Sequence, residues 1–353
     1  VSAPRVIKTD PYNAESSADQ FAAAITPVEA HYVRSNFDLP VLDRERYCLA
    51  IGGEVQHAQQ LDLSALAQLP TVDTCVTMEC AGNDRLGMRP VPAGEPWGSG
   101  AVATATWGGV RLADVLALAH PTEMARELIV TGADHGPRDD ALTPGPVSFA
   151  RGLPIEVATD RETLLALTMN GEPLSVAHGA PVRLIVPGWY GMANVKWVIG
   201  LSLSRERFTG YFQQQRYVYD EAGVVRPVTR MRVKSLITAP GDGDTVPPGE
   251  VTVRGWAWSG NGRITRVELA VGGGDQWQDA TLGTPDGPHA WTPWHATCVV
   301  EHAGRLVLRS RATDDRGATQ PDVSPWNRLG YGNNAVRPVV VQVTVSPPEA
   351  AGD

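Results

Sequence analysis

The chain has 353 residues, more than one hydrophobic core usually organises, so two domains are expected. With 42% hydrophobic and 20% charged residues it reads as globular, not disordered or coiled-coil, and no apolar run reaches the roughly 18 residues of a membrane helix. A net charge of −9 without any block of Lys or Arg leaves no electrostatic footprint for nucleic acid or an anionic membrane.

The 36 Gly and 28 Pro, with only short helical patterns, predict a turn-rich, strand-rich chain. Residues 1 to about 30 are polar, with one short helical pattern in S-A-D-Q-F-A-A-A-I, and no charged stretch followed by an apolar one. A leader peptide is therefore expected to be absent or already removed. Strand character follows from Tyr47 to Val55, then a short helix over Leu61–Leu69 capped by Asp62 or Ser64. An apolar strand over Val72–Met78 ends abruptly at E-C-A-G-N-D-R, and a strand that stops in small polar residues is a common place for chemistry. Residues 111–119 repeat apolar side chains at helical spacing, and 134–154 read as loop. From Pro181 two strands flanking a Gly-rich turn are expected. Residues 235–250, dense in Pro, Gly and Asp, read as a hinge. Beyond it, V-T-V-R-G-W-A-W, R-V-E-L-A-V, R-L-V-L-R-S-R-A-T and V-V-V-Q-V-T-V alternate apolar and polar residues as a β-sandwich does.

The four cysteines, Cys48, Cys75, Cys80 and Cys298, show no C-x-x-C spacing, so neither a zinc ribbon nor a thioredoxin-type pair is indicated, and a disulfide between any two stays open. Cys48, Cys75 and Cys298 sit in strand-like contexts and read as buried, inert thiols. Cys80 stands apart. It follows Glu79 at the strand end, Gly82 lets the backbone turn closely, and Arg85 would lower the thiol pKa toward the metal-binding thiolate. These residues alone fit a structural cysteine about as well as a ligand. Two further strings hold candidate anion groups: H-G-A-P-V-R with His178 and Arg183, and V-P-G-W-Y-G-M-A-N-V-K-W with Gly188, Gly191 and Lys196. Walker, full dinucleotide, zincin, EF-hand and hydrolase-elbow signatures are missing.

Together, T-M-E-C-A-G-N-D-R, H-G-A-P-V-R and V-P-G-W-Y-G-M-A-N-V-K-W resemble the sulfite oxidase family of molybdenum enzymes. I-T-P-V-E-A-H-Y-V-R, T-W-G-G-V-R-L-A-D-V-L and L-L-A-L-T-M-N-G-E-P-L agree in the same order, and G-W-A-W-S-G-N-G-R-I-T-R-V-E-L and S-P-W-N-R-L-G look like the family's immunoglobulin-like dimerisation domain. The resemblance implies an α+β molybdopterin-binding domain over 1–235, then an immunoglobulin-like β-sandwich over 236–353 that pairs two chains into a homodimer. It implies one molybdenum and one molybdopterin per chain, with Cys80 as the protein's thiolate ligand; soft sulfur suits such a centre. Arg34, Arg85, Trp97, Tyr217 and Arg263 would line the substrate pocket, where guanidinium forks orient a small oxyanion. Asn36, Asp134, His178, Arg183, Asn194 and Lys196 would hold the cofactor. Arg263 in the pocket would make the second domain part of the active site.

The implied reaction is sulfite oxidation to sulfate by oxygen-atom transfer. No cytochrome haem domain can be placed on the chain, so electrons would go to an external acceptor, a cytochrome or dioxygen. Compartment stays open, cytoplasm or periplasm, and the C-terminal A-G-D is no peroxisomal address. The chain departs from the family at Asn36 for a histidine, Ala193 for a phosphate-site arginine, Asp84 for the first of an arginine pair and Leu167 for a tyrosine. The Asp84 change moves local charge by two and would oppose an anion if it faced the pocket. A second reading therefore keeps the cofactor and takes nitrate, another oxoanion or a sulfoxide. A third, of another class, is a cofactor-free dimeric scaffold.

Overall fold

A computed structural model describes residues 3–137, 145–221 and 223–344 of the chain. They form two compact units, and the chain passes between them more than once. The first unit takes Val1–Gln20, Ile25–Met231 and Pro325–Asn333; the second takes Phe21–Ala24, Arg232–Ser324 and Asn334–Asp353. The short segments Phe21–Ala24 and Pro325–Asn333 are assigned by what they pack on, which lies far from them in sequence.

In the first unit two five-stranded sheets carry most of the structure. One runs in the order Glu172–Pro173, Leu164–Met169, Val102–Arg111, Thr71–Glu79, with Arg183–Ile185 also paired to Leu164–Met169. The other runs Gln59–Leu61, Leu49–Gly53, Val198–Ser204, Glu127–Pro137, Pro146–Pro154, and only the Leu49–Gly53/Val198–Ser204 pair is parallel. The strands expected on either side of the Gly-rich turn, Arg183–Ile185 and Val198–Ser204, thus belong to different sheets instead of forming a hairpin. The segment between them, residues 186–197, is left to line a site.

Residues expected as loop, 134–154, are largely an antiparallel pair, Glu127–Pro137 with Pro146–Pro154. Its register shift between Thr131 and His135 re-aims the side chains there, and its prolines lie at the open ends, where no ladder hydrogen bond is lost. Residues 138–144 of that prediction lie outside the described residues. The α-helices are short, Leu63–Leu66, Leu112–Ala117 and Ile155–Ala158, so the molecule is sheet-rich with few helices, less helical than an α+β label implies. Asp62 does cap the first, accepting from the Ala65 N–H at 2.7 Å.

The second unit is a β-sandwich. One sheet runs Lys234–Ala239, Gly249–Trp258, Thr292–Val300, Thr281–Leu282; the other runs Thr245–Val246, Val339–Val343, Gly304–Asp314, Ile264–Val271, Trp277–Asp279. Alternating side chains such as Val253, Leu269, Leu308 and Val341 meet in one core between the sheets. The predicted hinge over 235–250 is instead strand, turn and strand, because Lys234–Ala239 pairs along Gly249–Trp258 and so satisfies its backbone. None of the four cysteines is joined in a disulfide. Cys298 is buried and Cys75 half-buried, whereas Cys48, expected inside, is exposed one residue before its strand begins.

Candidate active site

The strand Thr71–Glu79 is paired along its whole length with Val102–Arg111, and Cys80 is the first residue past its end. The Cys80 N–H still donates to the Ala101 carbonyl at 2.8 Å, after which the chain turns, Asn83 N–H returning to the Cys80 carbonyl at 2.9 Å. Asn83 holds the turn: its amide donates to Glu79 Oε1 at 2.9 Å and its Oδ1 accepts from the Ala101 N–H at 3.0 Å. The thiol is buried, with Met78 and Trp97 in its hydrophobic cluster, yet it also lines two adjoining cavities.

The larger cavity has about 590 Å³ of atom-free space, open solvent included, and its walls hold all of Asn36, Cys80, Asp134, His178, Arg183, Asn194 and Lys196. Lys196 Nζ donates to Ser35 Oγ and the Ala177 carbonyl, both at 3.0 Å, and stands 4.1 Å from the Trp197 ring centroid. Arg183 donates to the His178 carbonyl at 3.2 Å and lies over the Trp107 ring at 4.9 Å. His178 Nε2 meets the Val28 carbonyl at 3.0 Å. Asn194 braces the 186–194 loop, its Oδ1 accepting from the Val186 N–H at 2.7 Å. Burial pushes the Lys196 ammonium and the His178 imidazole well below their ordinary pKa values, and Arg183 down to about 10. Among the described lining residues the acid is Asp134, against the cations Arg34, Arg183 and Lys196, a balance that favours an anionic occupant. Tyr32 Oη and Arg183 Nε, both on lining residues, are buried without a hydrogen-bond partner. Native interiors seldom leave such groups bare, which points to a polar ligand.

The smaller cavity shares Arg34, Cys80 and Tyr217 with the larger one and adds Arg85, Glu95, Trp97, Arg216 and Tyr331. Arg34 is spent on Asn13 Oδ1 at 3.3 Å, the Ser35 carbonyl and Asn36 Oδ1 at 2.8 Å. Asn36, standing where the family places a histidine, in turn donates to Tyr217 Oη at 3.2 Å. Arg85 donates to the Glu95 carbonyl at 2.6 Å and to the Leu329 carbonyl at 3.1 and 3.3 Å. Gly82, Gly94 and Gly330 make room for its guanidinium: a Cβ on any of them would come within about 3 Å of it. Asp84 does not face either cavity; in the left-handed region at φ 62°, its backbone carbonyl accepts from Asn333 Nδ2 at 2.7 Å.

Arg263 lies in the second unit, its side chain 82% exposed and 4.0 Å from Asp315. The walls of both cavities come from the first unit. One expectation is corrected: the Cys80 thiol is raised, because burial outweighs the pull of Arg34, the Gly82 N–H and Arg85. Sequence reasoning missed Tyr32, Arg216 and Tyr331. The one available signal was the adjacency of Arg216 to Tyr217.

A single cysteine thus stands at the meeting of a cation-rich cavity and an arginine-rich one, and shares both with Arg34 and Tyr217. Residues 36–212 match the oxidoreductase molybdopterin binding domain and residues 225–344 the Mo-co oxidoreductase dimerisation domain. The chain is 35% identical to mitochondrial sulfite oxidase of Rattus norvegicus over 96% of its length and 65% of that protein's. It is 31% identical to the NAD(P)H nitrate reductase of Hordeum vulgare, over 94% of its length and 41% of the reductase. It superposes on the sulfane dehydrogenase SoxCD from Paracoccus pantotrophus with a TM-score of 0.82 at 28% identity, covering 96% of this chain and 88% of that one. The chain belongs to the sulfite oxidase family of molybdopterin-dependent oxidoreductases. It spans about 65% of the length of the rat relative.

The residues present fit molybdopterin. Among the described residues no three His, Cys, Asp or Glu side chains cluster around a metal position, and Cys80 offers a single soft donor, which suits a metal whose further ligands come with its cofactor. The surplus of buried cations suits the cofactor's phosphate, and the bare Tyr32 and Arg183 groups suit its polar ring system. Among the described residues no helix is long and apolar enough to cross a membrane.

Proposed function

We propose that the protein oxidises sulfite to sulfate by oxygen-atom transfer at a molybdenum centre ligated by Cys80, with electrons leaving to an external acceptor. The observation that supports this most is the sharing of Arg34, Cys80 and Tyr217 by both cavities. It stands a soft ligand between a space of cofactor character and one of oxyanion character. Molybdopterin, when bound, supplies the metal with its oxygen-transfer and two-electron chemistry. The chain's own residues bind, orient and exclude water. His178, Arg183 and Lys196 hold the cofactor's anionic end, and Cys80 contributes its thiolate; losing the proton against burial is coupled to metal binding. Arg34 and Arg85, both locked by their own hydrogen bonds, present fixed positive charge to the oxyanion, so little reorganisation is needed on binding. Trp97, buried at 1% exposure, closes the small cavity against water. Tyr217, held by Asn36, offers its hydroxyl to a substrate oxygen.

Sulfur substrates are favoured over nitrate because one relative is named a sulfite oxidase and the solved neighbour a sulfane dehydrogenase. Nitrate reduction is the second reading, supported by the barley relative. The match to a dimerisation domain over 225–344 supports a homodimer, and the molybdopterin-domain match over 36–212 supports catalysis in the first unit. Protein made in a cofactor-competent host is expected to carry about one molybdenum per chain and to reduce ferricyanide with sulfite faster than it reduces nitrate with a reduced dye. Cys80→Ser abolishes turnover. Full sulfite oxidation in that variant, or molybdenum-free wild type, refutes the proposal.

A further inference from the structure

The small cavity holds three guanidiniums, those of Arg34, Arg85 and Arg216, and one carboxylate, that of Glu95. Two of the three are committed. Arg34 donates to Asn13, Ser35 and Asn36, and Arg85 to the Glu95 and Leu329 carbonyls. Among the described residues no hydrogen bond or ion pair engages the half-buried Arg216 side chain, although it shares the cavity with Glu95.

Its placement is built. Arg216 ends the π-type turn Phe212–Arg216, a wide turn that recurs at functional sites because it re-aims a side chain. The buried Arg151 pins the start of that turn, donating to the Phe212 carbonyl, and lies 5.7 Å from the ring centroid of Tyr217, the next residue. Tyr331 lines the same cavity, its ring 5.3 Å from that of Tyr217 and 5.4 Å from the Arg85 guanidinium. Arg34, Arg85 and Arg216 all face the Tyr331 hydroxyl closely enough to oppose the effect of burial on it.

We propose that Arg216 captures the substrate's outer oxygens and sets the preference of the cavity for a doubly charged oxyanion over a singly charged one. The proposal rests on the reading of this cavity as an oxyanion site. Three cationic groups against one anionic group leave a surplus of two positive charges, which a dianion such as sulfite or sulfate neutralises and nitrate does not. Arg216, with its donors unengaged, forms a bidentate pair at no cost in broken protein hydrogen bonds.

The test compares cofactor-loaded wild type, Arg216→Gln and Arg216→Lys at a pH where sulfite is doubly charged. Three quantities are read: KM for sulfite, inhibition by sulfate and by nitrate, and direct calorimetric binding of sulfate and nitrate. Arg216→Gln is expected to weaken sulfate binding and raise the sulfite KM roughly 10- to 100-fold, the range of one charge-assisted hydrogen bond, while nitrate binding changes much less. Arg216→Lys restores part of the loss, since it returns the charge without the fork. Sulfate affinity within about twofold of wild type in Arg216→Gln, or equal weakening of sulfate and nitrate, overturns the proposal. Should Arg216→Gln fail to retain molybdenum, Arg216→Lys decides by the same comparison, with sulfate required to weaken more than nitrate. A wild type that does not turn over sulfite refutes the substrate assignment, while the sulfate and nitrate calorimetry still judges Arg216.

Discussion

His31 makes stability depend on pH in a way that can be calculated. Its ring is buried, stacked on Tyr32 at 5.0 Å and edge-on to His178 at 5.2 Å, with Nδ1 2.9 Å from the Tyr32 carbonyl. Burial lowers its pKa from 6.5 to about 3, and Arg183 and Lys196 push the same way. The unfolded chain therefore binds a proton below about pH 6.5 that the native state refuses until about pH 3. Stability contributed by the neutral ring is complete above 6.5 and falls as the pH drops beneath it. From 6.5 to pH 5 the loss is 1.5 pH units at about 1.36 kcal/mol each, about 2 kcal/mol in all. For a unit of this size that corresponds to roughly 4–8 °C in Tm. Thermal melts of the loaded protein and of His31→Gln, whose amide can still donate to the Tyr32 carbonyl, at pH 7.5 and pH 5 are the assay. The variant should lose about 2 kcal/mol less than wild type between the two. Equal losses would show that His31 is protonated in the native state and refute the reasoning.

A Cβ at Gly82 would lie 2.4 Å from Arg85 Nη2, and the guanidinium is hemmed by Gly94 and Gly330, so Gly82→Ala drives Arg85 off its carbonyl partners. The sulfite KM is expected to rise about tenfold in steady-state assays, from the loss of a fixed charge at the oxyanion; an unchanged KM contradicts that seat. In the sandwich, Leu269 is fully buried between the sheets, and Leu269→Ala should cost that unit about 2–5 kcal/mol. Denaturant titration measures it, and a loss under about 1 kcal/mol would mean the core collapses into the gap.

The position of Cys80 past its strand end, the Asp62 cap and the alternating strands of the sandwich were legible because each depends on neighbours within a few residues. Strand Thr71–Glu79 must stop where small residues replace side chains that fill a sheet face, and the thiol follows directly. The grouping of His178, Arg183 and Lys196 was legible for a similar reason: all three lie on or close in sequence to the short strand Arg183–Ile185, beside Gly-bearing turns.

What the residue order alone determined, then, was the cofactor class and the strings that carry its candidate contacts. The tertiary structure decided what lines the smaller cavity. Arg85 finds its carbonyl partner at Leu329, 244 residues away, and Arg216 joins Arg34 and Arg85 in the walls. Burial, too, outweighed the nearby arginines and raised the Cys80 thiol. Partners brought together across the fold, and the solvent excluded when they meet, are properties of packing; local spacing carries no record of either.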